Sequence, residues 1–324
     1  MLAGPLKIVI ASRSLAGWMN WTRPGLVEEV KEIASGAEVR MVEASEVDEA
    51  AVDADVLATV DLSPDALRRA KRLKWVHSWA AGPNELISDA MLESQVVLTS
   101  CKGNGAVPLA EHAIMLMLML DRDARRMLTA QAERRWDKFR HNELNGRTCG
   151  IVGAGHSGTD LALKAKAFHM RVLGLRRHDR PAEHFDRIYT KDGLHEFLAS
   201  SDFVVVTAAL TPETIGMLGE AEFRAMKPSA YYVCYSRGAI ADTAALMRAL
   251  TEGWIAGAGL DAHAVEPLPA DSPFWSMSNV IVTPHIGATS FATPERGNEI
   301  FLENLRRFLA GQPLVNVVDK VAGY

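Results

Sequence analysis

Short apolar runs and amphipathic stretches alternate along this chain. Residues 7–11, 38–42, 56–59, 75–78 and 96–98 are β-branched or apolar runs of strand length. Stretches with helical spacing lie between them, such as 24–34 and 64–70. That rhythm predicts strands joined by helical crossovers, hence a parallel sheet. A longer helical pattern covers 108–126, where Leu109, His112, Ala113, Leu116, Met117 and Leu120 recur at i, i+3, i+4 spacing. The more polar, Arg-rich stretch 127–147 reads as the passage between two domains.

A second series starts at Cys149. Strands are expected at 149–153, 171–175, 203–207, 230–235, 255–260 and 280–282, with helices at 157–168, 194–200, 220–225, 242–250 and 294–310. Six parallel strands with intervening helices describe a complete doubly wound dinucleotide-binding domain. The last helix has no strand left to serve there, so it is expected to return to the first domain. The predicted fold is therefore α/β, with two Rossmann-like doubly wound domains. Residues 1–105 and 286–324 form a discontinuous substrate domain, and 106–285 form the dinucleotide-binding domain.

The 324-residue length suits two domains. A net charge of −5 gives no hint of a nucleic-acid or membrane partner. The longest apolar stretch, 113–120, falls short of the ~20 residues of a membrane span. Cys101, Cys149 and Cys234 have no CxxC spacing, which argues against disulfides and metal clusters and for a cytoplasmic setting. The N-terminal apolar run is too short for a signal peptide.

The clearest local signal is Gly153-Ala154-Gly155-His156-Ser157-Gly158, a GxGxxG that closes a strand and opens a helix. Gly153 permits the tight turn, Gly155 leaves room for a pyrophosphate, and Gly158 lets helix and strand pack closely. His156 and Ser157 stand at the helix N-terminus, whose N–H groups and dipole attract phosphate. The next strand ends in Arg176-Arg177, where an NAD site places a carboxylate for the ribose hydroxyl. A guanidinium suits a 2′-phosphate instead, so NADP is expected, with NAD possible.

Ligands bind beyond the carboxyl ends of such strands. Three ends carry chemistry: Ser236-Arg237-Gly238, Asp261 followed by Glu266-Pro267, and Thr283-Pro284-His285. Hydride arriving at a ketone carbon builds charge on oxygen, which needs a proton and a fixed cation. His285 is the candidate acid, because imidazole titrates near neutrality. Glu266 is placed to bond its other nitrogen and favour the imidazolium. Arg237 can bridge a carboxylate and a carbonyl with its planar fork. Singly, each has a plain alternative as a turn, loop or capping residue. Their coincidence at three strand ends with a glycine loop favours the reactive reading.

These segments resemble the D-isomer-specific 2-hydroxyacid dehydrogenase family. The likeness is carried by residues 150–158, Leu210-Thr211-Pro212-Glu213-Thr214, Met226-Lys227-Pro228, residues 233–238, Gly259-Leu260-Asp261 with Glu266-Pro267-Leu268-Pro269, Asp271-Ser272-Pro273-Phe274-Trp275, and Thr283-Pro284-His285-Ile286-Gly287. The first half adds residues 75–82, Ala110-Glu111-His112 and Asn316-Val317-Val318-Asp319. The resemblance implies catalytic Arg237, Glu266 and His285, and a substrate carboxylate held by the Ala81 and Gly82 N–H groups. It implies cofactor contacts at Ala209, Ser236, Asp261, His285 and Gly287 besides the glycine loop and arginines. Two domains closing on a cleft and a homodimer are also implied.

The Arg176-Arg177 pair is similar to the NADP-using glyoxylate and hydroxypyruvate reductases of the family, implying reduction of a small 2-keto acid to its D-2-hydroxy acid. Two other readings stay open: an NAD-dependent dehydrogenase of a larger D-2-hydroxy acid, and a non-catalytic dinucleotide-sensing, corepressor-like protein. The chain departs from the family at Cys234 for Asn, Ala209 for Pro, His263 for an aromatic residue, and Pro83 where an N–H is common.

Overall fold

A computed structural model describes residues 4–12 and 20–323. The chain forms two compact units, residues 1–105 with 290–324, and residues 106–289.

In the first unit, strands β1 (Lys7–Ala11), β2 (Glu38–Val42), β3 (Val56–Thr59), β4 (Trp75–Ser78) and β5 (Val97–Ser100) form one sheet in the order β2-β1-β3-β4-β5. All four pairings are parallel. Helices α1 (Leu26–Ile33), α2 (Val47–Ala51), α3 (Pro64–Arg69) and α4 (Asp89–Glu93) make the crossovers. β3 and β4 are buried along their whole length, as parallel strands covered on both faces must be. α3 starts cleanly because Ser63 accepts the Ala66 N–H and Pro64 supplies the helical φ. The loop after β4 is pinned by Trp79, whose buried indole N–H donates to the Ala11 carbonyl at 3.0 Å.

The second unit opens with α5 (Ala106–Asp121) and α6 (Ala124–Ala132). The stretch 127–147 is therefore not a passage between domains: the units meet in sequence at 105/106, and 127–147 lies within the second. Asp123, in a left-handed conformation, ends one helix and caps the next by accepting the Arg126 N–H. The Arg125 guanidinium then anchors α6 to the Met277 and Val280 carbonyls at 2.5 and 2.7 Å.

The second sheet holds β6 (Thr148–Val152), β7 (Arg171–Leu175), β8 (Arg187–Tyr189), β9 (Phe203–Val206), β10 (Tyr231–Cys234), β11 (Gly257–Leu260) and β12 (Val280–Val282). Their order is β12-β11-β10-β9-β6-β7-β8, all parallel. The sequence pattern gave six strands and missed β8, a three-residue edge strand with only one buried position. Helices α7 (His156–Ala167), α8 (Leu194–Ser200), α9 (Glu220–Ala225) and α10 (Thr243–Thr251) are its crossovers. Strand order reverses at β6, which pairs with β7 on one side and β9 on the other. That reversal is the point where an open α/β sheet leaves a crevice beyond its strand ends.

Helix α11 (Ala292–Leu309) belongs to the first unit, where Phe301, Leu302 and Leu305 are fully buried with Ile8, Trp75 and Trp79. Phe301 stacks on Trp75 at a centroid separation of 5.5 Å.

Candidate active site

The glycine loop lies at the strand-order reversal. Gly153 follows β6 with φ 106°, in the left-handed half of backbone space. A Cβ on Gly158 would sit 2.1 Å from the Gly153 carbonyl oxygen, so only glycine lets α7 start this close to β6. Thr207, just past β9, closes the turn by donating its hydroxyl to that same oxygen at 2.5 Å. A Cβ on Gly155, by contrast, would meet nothing within 4 Å. No side chain caps α7, whose first residue His156 is exposed and whose second, Ser157, is half-buried. An open approach at Gly155 and an uncapped helix start fit a pyrophosphate.

Beyond β7, the Arg177 guanidinium pairs with Glu213 through Nε and Nη2 at 3.1 and 2.8 Å. Arg176 is half-buried, and its guanidinium bonds the Arg180 carbonyl at 3.4 Å. Both cations lie at the end of the strand that follows the glycine loop, the right place for a ribose phosphate. Ala209 carries the carbonyl that accepts the Thr214 hydroxyl at 2.7 Å, which shapes the loop holding Glu213.

At the other strand ends, His285 and Glu266 meet. His285 Nδ1 lies 2.8 Å from Glu266 Oε2. The second carboxylate oxygen, Oε1, accepts the His263 N–H at 2.8 Å. Burial alone would raise the Glu266 carboxyl, but the bonds from His285 and His263 prevail and hold it below its ordinary value. An ionised carboxylate only accepts, so Nδ1 carries a proton. Both side chains are about one-third exposed, at 37% and 36%. The pair is thus reachable from solvent.

Arg237 does not join them. Its Nη1 donates to the neighbouring Ser236 carbonyl at 2.9 Å, and no bond among the described residues links it to Glu266 or His285. Its loop nevertheless touches theirs: a Cβ on Gly238 would lie 2.2 Å from the His263 carbonyl carbon. Cys234 sits beneath, its buried thiol pushed up in pKa by desolvation and its Sγ donating to the Arg237 carbonyl at 3.5 Å.

His285 has φ 52°, a left-handed conformation that costs a residue with a side chain about 1–2 kcal/mol. Asp261 holds that turn. Its Oδ1 accepts the Thr283 hydroxyl at 2.7 Å and the Ile286 N–H at 3.0 Å, and its Oδ2 accepts the Gly287 N–H at 2.8 Å. His112 Nε2, from α5, lies 3.3 Å from Oδ1 and 3.0 Å from Thr283 Oγ1. Burial of this fully enclosed carboxyl would raise its pKa. The bonds from His112, Thr283, Gly287 and Ile286 outweigh that and hold it far below the usual aspartate range. Asp261 and Gly287, expected as cofactor contacts, are here bonded to each other.

In the first unit, Ala81 and Gly82 follow β4. Neither N–H has a partner among the described residues. Sequence reasoning missed the support given by His112, Thr283 and His263. His112 and Thr283 are 171 residues apart, and no spacing rule connects them.

The family model for D-isomer specific 2-hydroxyacid dehydrogenase, NAD binding domain, matches residues 114–287. The chain belongs to this family. It is 32% identical over 307 residues to a glyoxylate reductase of Pyrococcus furiosus, which covers 91% of each chain. Two solved structures cover 98–99% of it and are themselves covered completely. One, an NADPH-dependent glyoxylate/hydroxypyruvate reductase from Sinorhizobium meliloti in complex with NADP and sulfate, has 28% identity and a TM-score of 0.83. The other, a D-isomer specific 2-hydroxyacid dehydrogenase from Xanthobacter autotrophicus in complex with NADPH and MES, has 29% identity and a TM-score of 0.84. This dehydrogenase-family member is an oxidoreductase built for the chemistry of 2-keto and 2-hydroxy acids.

Proposed function

We propose that the protein reduces a small 2-keto acid of the glyoxylate or hydroxypyruvate type to the D-2-hydroxy acid, using NADPH. The observation that carries this reading is the 2.8 Å bond between His285 and an ionised Glu266. It orients the imidazole and favours its protonated form, so that Nε2 can give a proton to the carbonyl oxygen as charge builds there. Arg237, once released from the Ser236 carbonyl, supplies a fork for the substrate carboxylate and carbonyl. The N–H groups of Ala81 and Gly82, without a partner among the described residues, supply further donors for that carboxylate.

The nicotinamide cofactor supplies the hydride. The loop 153–158 and the α7 start hold its pyrophosphate, and Arg176 and Arg177 hold a 2′-phosphate. The complexes of the Sinorhizobium and Xanthobacter relatives with NADP and NADPH support that choice. Ser236 and Ala209 line the same strand ends and complete the cofactor contacts, with Asp261 and Gly287 fixing the turn beside them. We further assign the protein to the cytoplasm from its scattered cysteines, and to a homodimer from the family resemblance.

The test is consumption of NADPH or NADH with glyoxylate, hydroxypyruvate, pyruvate and phenylpyruvate. Turnover should be greatest with a small acid and NADPH, and Arg176→Ala should erode the NADPH preference in kcat/KM. Equal use of both cofactors by the parent would overturn the cofactor assignment. Cofactor binding without turnover of any acid would favour the dinucleotide sensor.

A further inference from the structure

His263 departs from the aromatic residue the family resemblance expects, and its ring has a specific partner. Its Nε2 lies 3.1 Å from the Thr283 carbonyl oxygen, two residues ahead of His285. Its backbone N–H bonds Glu266 Oε1 at 2.8 Å. One residue thus reaches both sides of the reactive pair: the carboxylate directly, and the imidazole through the backbone that carries it. We propose that His263 is a positioning residue for the His285–Glu266 pair, acting through its ring bond to the Thr283 carbonyl. The proposal rests on the reading of His285 as the proton donor.

The proton inventory supports a fixed arrangement. A carbonyl only accepts, so His263 Nε2 carries the hydrogen. His263 Nδ1 is buried and has no partner among the described residues. Nε2 is therefore the ring's one hydrogen-bonding anchor. Thr283 is gripped from its other side as well. Its hydroxyl donates to the Asp261 carboxylate, so His112 Nε2 must donate to it. Thr283 is then held by its carbonyl and by its hydroxyl, and the residue two positions on inherits that order. The ionisable groups around this segment are Glu266, His285, Asp261 and His112, with Asp271 lining the same cavity as His263.

The 263–264 backbone has little freedom to compensate for a lost ring. It packs against Gly238 so closely that a single added carbon there would lie 2.2–2.6 Å from it. A hydrocarbon ring at 263 fills the space but leaves the Thr283 carbonyl unheld. The Phe, Gln and Asn variants all keep the backbone N–H that bonds Glu266, so they report on the ring.

The experiment compares His263→Phe, His263→Gln and His285→Gln, measuring NADPH-dependent glyoxylate reduction, NADPH affinity and thermal stability. His263→Phe should lower kcat about ten-fold, the scale of a small misplacement of a reacting group, with NADPH affinity unchanged within about two-fold. His263→Gln, whose amide reaches the Nε2 position, should recover most of that loss. The double variant His263→Phe/His285→Gln should be no slower than His285→Gln alone, since both changes act through one group. A parental kcat in His263→Phe, or a loss that adds in full to that of His285→Gln, overturns the proposal while leaving the proton-donor reading intact. A parental kcat in His285→Gln overturns both. Should His263→Phe fail to fold, His263→Asn replaces it. Its amide falls short of the carbonyl, so it should behave as Phe does, and a rate equal to that of Gln overturns the role of the ring.

Discussion

Two turns in the same sheet do opposite things with side chains. The turn after β6 is made of absences: Gly153 takes a left-handed φ, Gly158 leaves room for a carbonyl, and Gly155 opens on empty space. The turn after β12 also takes a left-handed φ, but at His285, which carries a ring. Nothing in the first turn has to point anywhere. In the second, one imidazole must point at one carboxylate. The structure offsets the cost with a buried Asp261, which collects two backbone N–H groups, a hydroxyl and a histidine. A turn that only has to leave room can be built by removing atoms, whereas a turn that aims a side chain has to be held in place.

The comparison breaks first at His285. His285→Gln keeps a side chain in the strained position but cannot deliver a proton. It should cut kcat by about 10²–10⁴-fold, the usual worth of general acid catalysis, with cofactor binding little changed. Steady-state kinetics set against NADPH titration would show it, and a kcat near the parent's would remove His285 from its role.

Asp261→Asn should come next. Losing charge-assisted bonds to a buried group costs about 1.5–3 kcal/mol, measurable by urea unfolding. The pH dependence has a definite sign. The folded carboxyl is held below its unfolded value, so its contribution is complete above the unfolded pKa and fades as pH falls through the folded one. Parent and variant should therefore differ most near neutrality and converge in acid. A gap that widens on acidification would refute the account of the turn.

In the phosphate turn, Gly158→Ala forces a carbon to within 2.1 Å of a backbone oxygen. Overpacking of this kind costs about 1–3 kcal/mol, and the displaced helix start should weaken NADPH binding. Calorimetric titration would detect it; parental affinity would show that the α7 start tolerates displacement. The smallest effect is the most pointed. His285→Gly and His285→Gln both lose the imidazole, but only glycine relieves the left-handed strain. The glycine variant should be the more stable by about 1 kcal/mol, though equally inactive.

The same contrast explains what could be read from the sequence. The glycine loop occupies six consecutive residues, and its meaning is local, so it was legible before any coordinates. Arg237, Glu266 and His285 were legible as residues at strand ends. That two of them touch while Arg237 turns back to Ser236 was not, because rotamers leave no trace in spacing. His112 looked like one more position on the buried face of a helix, and its bond to Thr283 spans 171 residues. His263 stood out as an unusual residue, but its partner is a backbone carbonyl, which every residue possesses. The fold errors have equally local causes. β8 is too short to show a pattern, and the break at Asp123 hid in a stretch whose helical spacing ran on past it.

The placement of α11 has a consequence for how the protein is made. Phe301, Leu302 and Leu305 complete the core around Ile8 and Trp75, yet they leave the ribosome only after all of residues 106–289. The N-terminal sheet is therefore synthesised first and finished last, with one apolar face covered only in part, by α1, while the whole second unit is translated. Stalled nascent chains ending before residue 290 should remain protease-sensitive in their first hundred residues, and chaperones would meet this protein at its beginning rather than at its end.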